Sequence, residues 1–119
     1  WLQEEIESQL FQDFADPSVP VVDAEFSKKG DTTSFWTETV ENDEDNISLT
    51  WYDFLEPYML VSPAGGNRTH GVYSCFTPAK AARLTVNGDE ASGNVGQEMR
   101  GDKQSSTACL AWSETWVRP

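Results

Sequence analysis

The strongest constraint on the fold is an alternation of apolar and polar side chains in the segment 47–54. In an extended chain its apolar residues lie on one side and its hydroxyl-bearing residues on the other: Ile47, Leu49 and Trp51 against Ser48, Thr50 and Tyr52. A period of two indicates a β-strand with one face on a core. The segment is therefore predicted to be a strand of a sheet whose other face is polar.

Similar short segments, rich in β-branched and aromatic residues, recur along the chain between turn-forming sequences. We predict strands at 19–26, 34–40, 47–54, 58–61, 71–76, 83–86 and 107–117, with a weak strand near 95–99. Turns are expected at 27–31 and 41–46, and Asn87-Gly88 is a hairpin signal. Residues 78–82 favour a short helix, and about 87–105 are expected to form a polar, Gly-rich loop.

The N-terminal segment has helical rather than extended periodicity. Its apolar residues fall on one helical face: Leu2, Ile6, Leu10, Phe11 and Phe14. Pro17 ends the pattern, since the residue before a proline avoids the α conformation. We therefore predict an α+β fold in one domain, 1–119. An amphipathic helix at 1–15 would pack on a curved, mainly antiparallel sheet of six to eight strands, with a meander at 19–62 and a β-rich half at 71–117.

The chain is strongly acidic. Twenty Asp and Glu stand against eight Lys and Arg, for a formal net charge of −12. Such a charge repels nucleic acid and anionic membranes and attracts basic partners. It also keeps a protein soluble, which is the simplest interpretation of the same composition.

The charge is concentrated in one half of the chain. Residues 1–60 contain fifteen carboxylates and two lysines, whereas residues 61–119 contain five carboxylates and six basic side chains. This asymmetry predicts an acidic face, unless folding scatters the residues.

The densest acidic cluster is the predicted turn at 41–46, with Glu41, Asp43, Glu44 and Asp45. It is expected to be either a solvated turn or a contact patch for a lysine- and arginine-rich surface. A calcium loop of the EF-hand type is not expected, because Ile47 stands where an oxygen ligand belongs and no turn glycine follows. No metal site is predicted.

No residue pattern indicates catalysis or a bound cofactor. His70 is the only histidine, and its spacing from Cys75 together with the apolar flanks of that cysteine argues against an activated thiolate. Cys75 and Cys109 are too few for a disulfide framework, so we expect two thiols in a reducing compartment. The first residues lack the basic and apolar regions of a signal peptide, and a cytoplasmic location is expected.

Small size, high negative charge and a lack of catalytic motifs are the profile of bacterial immunity proteins, which neutralise nucleases and other toxins. We therefore hypothesise a non-enzymatic inhibitor that binds a basic toxin through an acidic face; a protein that mimics DNA is a variant of this hypothesis. No cofactor, nucleic acid or membrane is expected as a ligand, and the oligomeric state is left open. The candidate contact residues are Glu38, Glu41, Asp43, Glu44, Asp45, Trp51, Tyr52, Asp53 and Glu56.

The alternative is a small-ligand-binding or enzymatic domain. A curved sheet with a helix across it encloses a pocket, and aromatic side chains would line it. The polar groups to examine there are Tyr52, Asp53, Tyr58, His70 and Tyr73. The position of these residues distinguishes the two hypotheses.

Overall fold

A computed structural model describes residues 22–66 and 69–117. Within these ranges the chain forms nine strands: β1 (Glu25–Gly30), β2 (Phe35–Glu41), β3 (Asn46–Phe54), β4 (Tyr58–Ser62), β5 (Gly71–Val86), β6 (Asp89–Glu90), β7 (Gln97–Arg100), β8 (Lys103–Ser106) and β9 (Ala108–Val117). Seven of them make one sheet, and β7 and β8 make a separate hairpin. Every pairing among the described strands is antiparallel.

The predicted α+β class is wrong for the described part of the chain, which contains strands and no helix. The curved antiparallel sheet is the part of the prediction that fits. The amphipathic helix expected at 1–15 and the first residues of the strand expected at 19–26 lie outside the described residues.

β5 is the axis of the sheet. One edge of this 16-residue strand pairs with β4 and then β3, and the other pairs with β9 and then β6. β2 and β1 extend the sheet beyond β3. The sheet order is thus β1, β2, β3 with β4, β5, and then β6 with β9.

Pro78 explains why β3 and β4 are two strands rather than one. Its carbonyl accepts a hydrogen bond from the Leu55 N–H at 2.8 Å, so its nitrogen faces the same edge of β5. A proline nitrogen has no hydrogen to donate there. β3 ends at Phe54 and β4 begins at Tyr58, so the gap between the two strands lies beside this missing donor.

The short helix expected at 78–82 is also wrong, because these residues lie in the middle of β5. Alanines favour helix in isolation, but tertiary packing overrides that preference. Ala79 is fully buried and packs in the core with Trp51 and Leu110. Small residues on the central strand leave room for the large side chains of its neighbours.

Two other segments differ in detail from the sequence-based expectation. Residues 27–30 continue β1, and the turn comes at 31–34, where the Asp31 carboxylate accepts hydrogen bonds from Thr33 and Ser34. The segment 87–105, expected as a loop around a weak strand, contains β6, β7 and most of β8. A hydrogen bond of 2.9 Å between the hydroxyls of Tyr58 in β4 and Ser105 in β8 links the β7–β8 hairpin to the sheet.

The apolar core lies on one face of the sheet. Trp36, Trp51 and Ala82 are register partners on neighbouring strands, so their side chains share this face. Trp112 packs edge-on against Trp36, with ring centroids 4.8 Å apart. The opposite face has a row of hydroxyls, with Thr37 and Thr50 bonded at 2.8 Å. We call these the core face and the hydroxyl face.

A search of the described residues for a helix long and apolar enough to cross a membrane finds none.

Candidate functional site: an acidic end of the sheet

Antiparallel pairing gathers carboxylates at one end of the sheet. This end comprises the start of β1, the end of β2, the turn before β3, the end of β5 and the start of β6, which follow one another across the sheet. We call it the acidic end and define it, within the described residues, by Asp23, Glu25, Glu41, Asp43, Glu44, Asp45 and Asp89. All of these side chains are exposed.

Asn42 shapes the turn that presents the densest part of the acidic end. Its side-chain oxygen accepts the backbone N–H groups of Glu44 at 2.9 Å and Asp45 at 2.8 Å. Its own N–H donates to the Asp45 carbonyl at 2.9 Å. An asparagine that bonds the backbone two and three residues ahead fixes a tight turn. The intervening carboxylates therefore point outward from a defined backbone.

Asn87 ties this turn to the end of β5. Its side-chain oxygen accepts the Asn46 N–H at 2.7 Å, and its side-chain nitrogen donates to Asp45 at 3.0 Å. Its φ angle of 52° is left-handed, as the first position of an Asn-Gly hairpin turn requires. The two turns at this end are thus joined by side-chain hydrogen bonds.

Glu25 and Glu41 stand directly opposite each other in the register of β1 and β2. Like charges in such a pair destabilise a sheet. Both line an open cleft of about 530 Å³, together with Asp23 and Asp43. The fold thus maintains an unfavourable concentration of negative charge around an accessible cleft.

The cations of the described residues do not neutralise this end. Four ion pairs are present among residues 22–66 and 69–117: Lys28 with Glu38, Arg83 with Glu90, Arg100 with Glu98, and Lys103 with Asp102. None of them includes a carboxylate of the acidic end. A cationic partner would therefore meet carboxylates without first displacing a lysine or arginine of the described chain.

The acidic end does not have the geometry of a metal site. Across the described ranges, no three His, Cys, Asp or Glu side chains come close enough together to hold a metal ion. The carboxylates are spread along the edge of five strands, about 20 Å at the usual strand spacing. Such an arrangement fits an extended cationic surface better than a single ion.

Glu38 lies away from the acidic end, in the middle of β2. It is half-buried on the core face, accepts a hydrogen bond from the Trp36 indole at 3.1 Å and pairs with Lys28 at 3.7 Å. These partners satisfy its carboxylate within the sheet. Its position gives it a structural role.

Asp53 and Glu56 lie at the opposite end of β3 from the turn at 41–46. The eight residues from Asp45 to Asp53 span about 26 Å of extended chain. Asp53 has a left-handed φ of 54° just before the break between β3 and β4. The candidate contact residues therefore do not form one patch.

Trp51 and Tyr52, the two aromatic residues among the candidate contacts, are neighbours on β3 and lie on opposite faces. Trp51 is 9% exposed and belongs to the core, which leaves little of it for a partner to contact. Tyr52 lies on the hydroxyl face beside a groove of about 300 Å³ lined by Ser48, Thr50, Arg83 and Thr85.

Sequence reasoning missed three members of the acidic end: Asp23, Glu25 and Asp89. The first two lie within the strand predicted at 19–26, and the third follows the Asn87-Gly88 turn. The turn predicted at 27–31 would have placed Glu25 near the start of the 34–40 strand, whereas the observed turn at 31–34 places it opposite Glu41. The sequence analysis missed these residues because it placed this turn too early.

The five polar groups of the alternative hypothesis are dispersed. The groove beside Tyr52 includes none of the other four among its described lining residues. Tyr73 lies eight residues along β5 from the register partner of Tyr52, about 26 Å away. His70 is buried and bonded to the Thr69 hydroxyl at 2.8 Å. These residues do not converge on one pocket.

Comparison with known proteins identifies no relative, since no family model, no curated protein and no solved structure matches this chain.

Proposed function

We propose that this chain is a non-enzymatic binding protein that captures a basic protein through the acidic end of its sheet. The observation that carries the proposal is the clustering of carboxylates at that end, without a compensating cation among the described residues. Glu25 and Glu41 repel each other across the register of β1 and β2, which lowers stability, and binding a cationic surface would relieve this repulsion. The contacts proposed are therefore Glu25, Glu41, Asp43, Glu44 and Asp45.

The proposed class of partner is a basic toxin, such as a nuclease, which this chain would neutralise as bacterial immunity proteins do. A concentrated negative field accelerates association with a cationic protein by factors of about 10 to 1,000. Fast capture suits an inhibitor that must act before its target does. The proposed location is the cytoplasm, in keeping with the free thiols of Cys75 and Cys109.

Two carboxylates are well suited to test the acidic end, because the turn does not depend on their side chains. The hydrogen bonds of the turn reach Glu44 through its backbone N–H, whereas Glu41 and Asp45 accept hydrogen bonds from Asn46 and Asn87 with their side chains. The double variant Asp43→Asn/Glu44→Gln therefore removes charge with little change of structure. The matched control Glu98→Gln/Asp102→Asn removes the same charge from the β7–β8 hairpin.

The experiment is affinity capture from the source organism with wild type and both double variants, followed by identification and purification of the bound protein. We expect a basic protein that wild type and the control retain and the acidic-end variant releases. Its association rate with wild type should fall steeply with salt, and wild type should inhibit its activity. The proposal would be contradicted if both double variants lost the bound protein equally, or if the association rate did not depend on salt.

A further inference from the structure

An exposed apolar row lies on the core face, one residue inside the acidic end. Phe26, Val40, Ile47 and Val86 are successive register partners on β1, β2, β3 and β5. Partners in register point to the same face, so the four side chains form one line across the sheet. At the usual strand spacing this line is about 14 Å long. We call it the apolar row.

The described part of the chain leaves the apolar row open. Phe26 is 76% exposed, and Ile47 and Val86 are each 39% exposed, while Val40 is half-buried. The core itself lies two rows further along the same face, where Trp51 is 9% exposed. Single exposed apolar residues are ordinary, but a contiguous row with a polar rim is typical of an interaction site.

Carboxylates lie at the border of the apolar row. Asp89 is the register partner of Val86 and shares its face, whereas Glu25 and Glu41, the chain neighbours of Phe26 and Val40, point to the opposite face at the same end of the sheet. The turn at 41–46 borders Ile47. Protein interfaces commonly have this organisation, with an apolar centre that excludes water and a charged rim that steers the partner.

We propose that the apolar row binds an aromatic or aliphatic side chain of the same basic partner whose lysines and arginines contact the acidic end. This inference rests on the proposed function and adds to it the contact that would make binding of the partner specific. The occupant is a cationic protein surface with an apolar side chain at its centre. The acidic end then governs the rate of association, and the apolar row governs the rate of dissociation.

The test uses two synthetic peptides as probes. One alternates lysine and alanine, and in the other the central alanine is replaced by tryptophan. On wild-type protein at low salt, we expect the tryptophan peptide to bind at least about tenfold more tightly, the scale of one buried interface anchor. The measurement is fluorescence anisotropy of labelled peptides.

The variant Ile47→Thr/Val86→Thr removes apolar surface and keeps β-branched residues in both strands. We expect it to abolish the advantage of the tryptophan peptide and to leave binding of the alanine peptide unchanged. The matched control is Val61→Thr, an exposed valine of β4 outside the apolar row, and it should behave as wild type.

The remaining outcomes overturn the inference in distinguishable ways. If the tryptophan peptide has no advantage on wild type, or keeps it on the double variant, the apolar row is not the contact, while the proposed function stands. If neither peptide binds at low salt, the electrostatic basis of the proposed function fails, and the inference fails with it. If sedimentation shows a wild-type dimer that Ile47→Thr/Val86→Thr dissociates, the occupant is a second copy of the chain.

Discussion

Glu25 lies directly opposite Glu41 in the antiparallel register of β1 and β2. Replacing Glu25 with threonine removes this repulsion and inserts a residue that favours strands, so the free energy of unfolding should rise by about 0.2–1 kcal/mol. The same change should weaken binding of a basic partner. Urea unfolding and association kinetics measure the two effects. Glu38→Thr is the control: it breaks the contacts with Lys28 and Trp36 and should not stabilise the protein.

Asn87 should contribute to stability both through its side-chain bonds and through its left-handed backbone. Asn87→Ala loses the bonds to Asn46 and Asp45 and strains the backbone, which should lower the free energy of unfolding by about 1–3 kcal/mol. Asn87→Gly loses the same bonds but tolerates the φ angle, so its stability should fall between wild type and the alanine variant. Thermal unfolding of the three proteins checks this order, and equal melting temperatures for the two variants would contradict it.

Asp31 should make stability depend on acid pH. Hydrogen bonds from the Thr33 hydroxyl and from the backbone N–H groups of Ser34 and Thr33 hold its pKa below the ordinary value of 3.8. A lowered pKa stabilises the folded protein at pH values above 3.8, and this stabilisation is lost as the pH falls through the pKa that Asp31 has in the folded protein. Asp31→Asn keeps an acceptor oxygen but does not titrate. Its unfolding free energy should therefore depend less on pH than that of wild type, and identical profiles would refute the assignment.

Cys75 and Cys109 should remain thiols in the folded protein. Cys75 pairs with Trp112, which is three residues along β9 from Cys109. This places their Cα atoms about 10 Å apart, beyond the roughly 7 Å that a disulfide allows. Mild oxidation should yield no intramolecular disulfide in the native chain, as judged by mass spectrometry after alkylation. Formation of one without unfolding would show that the β5–β9 register is different.

The Tyr58–Ser105 hydrogen bond should hold the β7–β8 hairpin to the sheet. Tyr58→Phe keeps the ring contact with Phe76 but leaves the Ser105 hydroxyl, which is 1% exposed, without this partner. An unsatisfied buried hydroxyl costs about 1–3 kcal/mol. The double variant Tyr58→Phe/Ser105→Ala should recover part of that loss in urea unfolding. If the losses of Tyr58→Phe alone and Ser105→Ala alone add up to the loss of the double variant, the bond is not formed.

Local patterns predicted most strands, but the helix that they indicated at 78–82 is wrong. The alternation around Trp51 and the Asn87-Gly88 turn identified β3 and the end of β5, because period and turn chemistry are local properties. The alanines beside Pro78 favour a helix locally. They lie in a strand because their small size serves contacts with Trp51 and Leu110, which are far away in sequence. The acidic end was only half anticipated for a related reason: strand register, which sequence patterns do not supply, brings Glu25 to Glu41.

The long β5 strand also determines when the fold can be completed. Its edges pair with segments on both sides in sequence, and the last pairing joins Gly71 to Val117 and Ala79 to Ala108. Contacts of such long range slow folding, because a large loop must close before they form. During synthesis, one edge of β5 stays without its β9 partner until the ribosome has released residue 117, and an open edge invites pairing with other chains. We therefore expect productive folding to wait until β9 has emerged from the ribosome, with the nascent chain depending on chaperones until then.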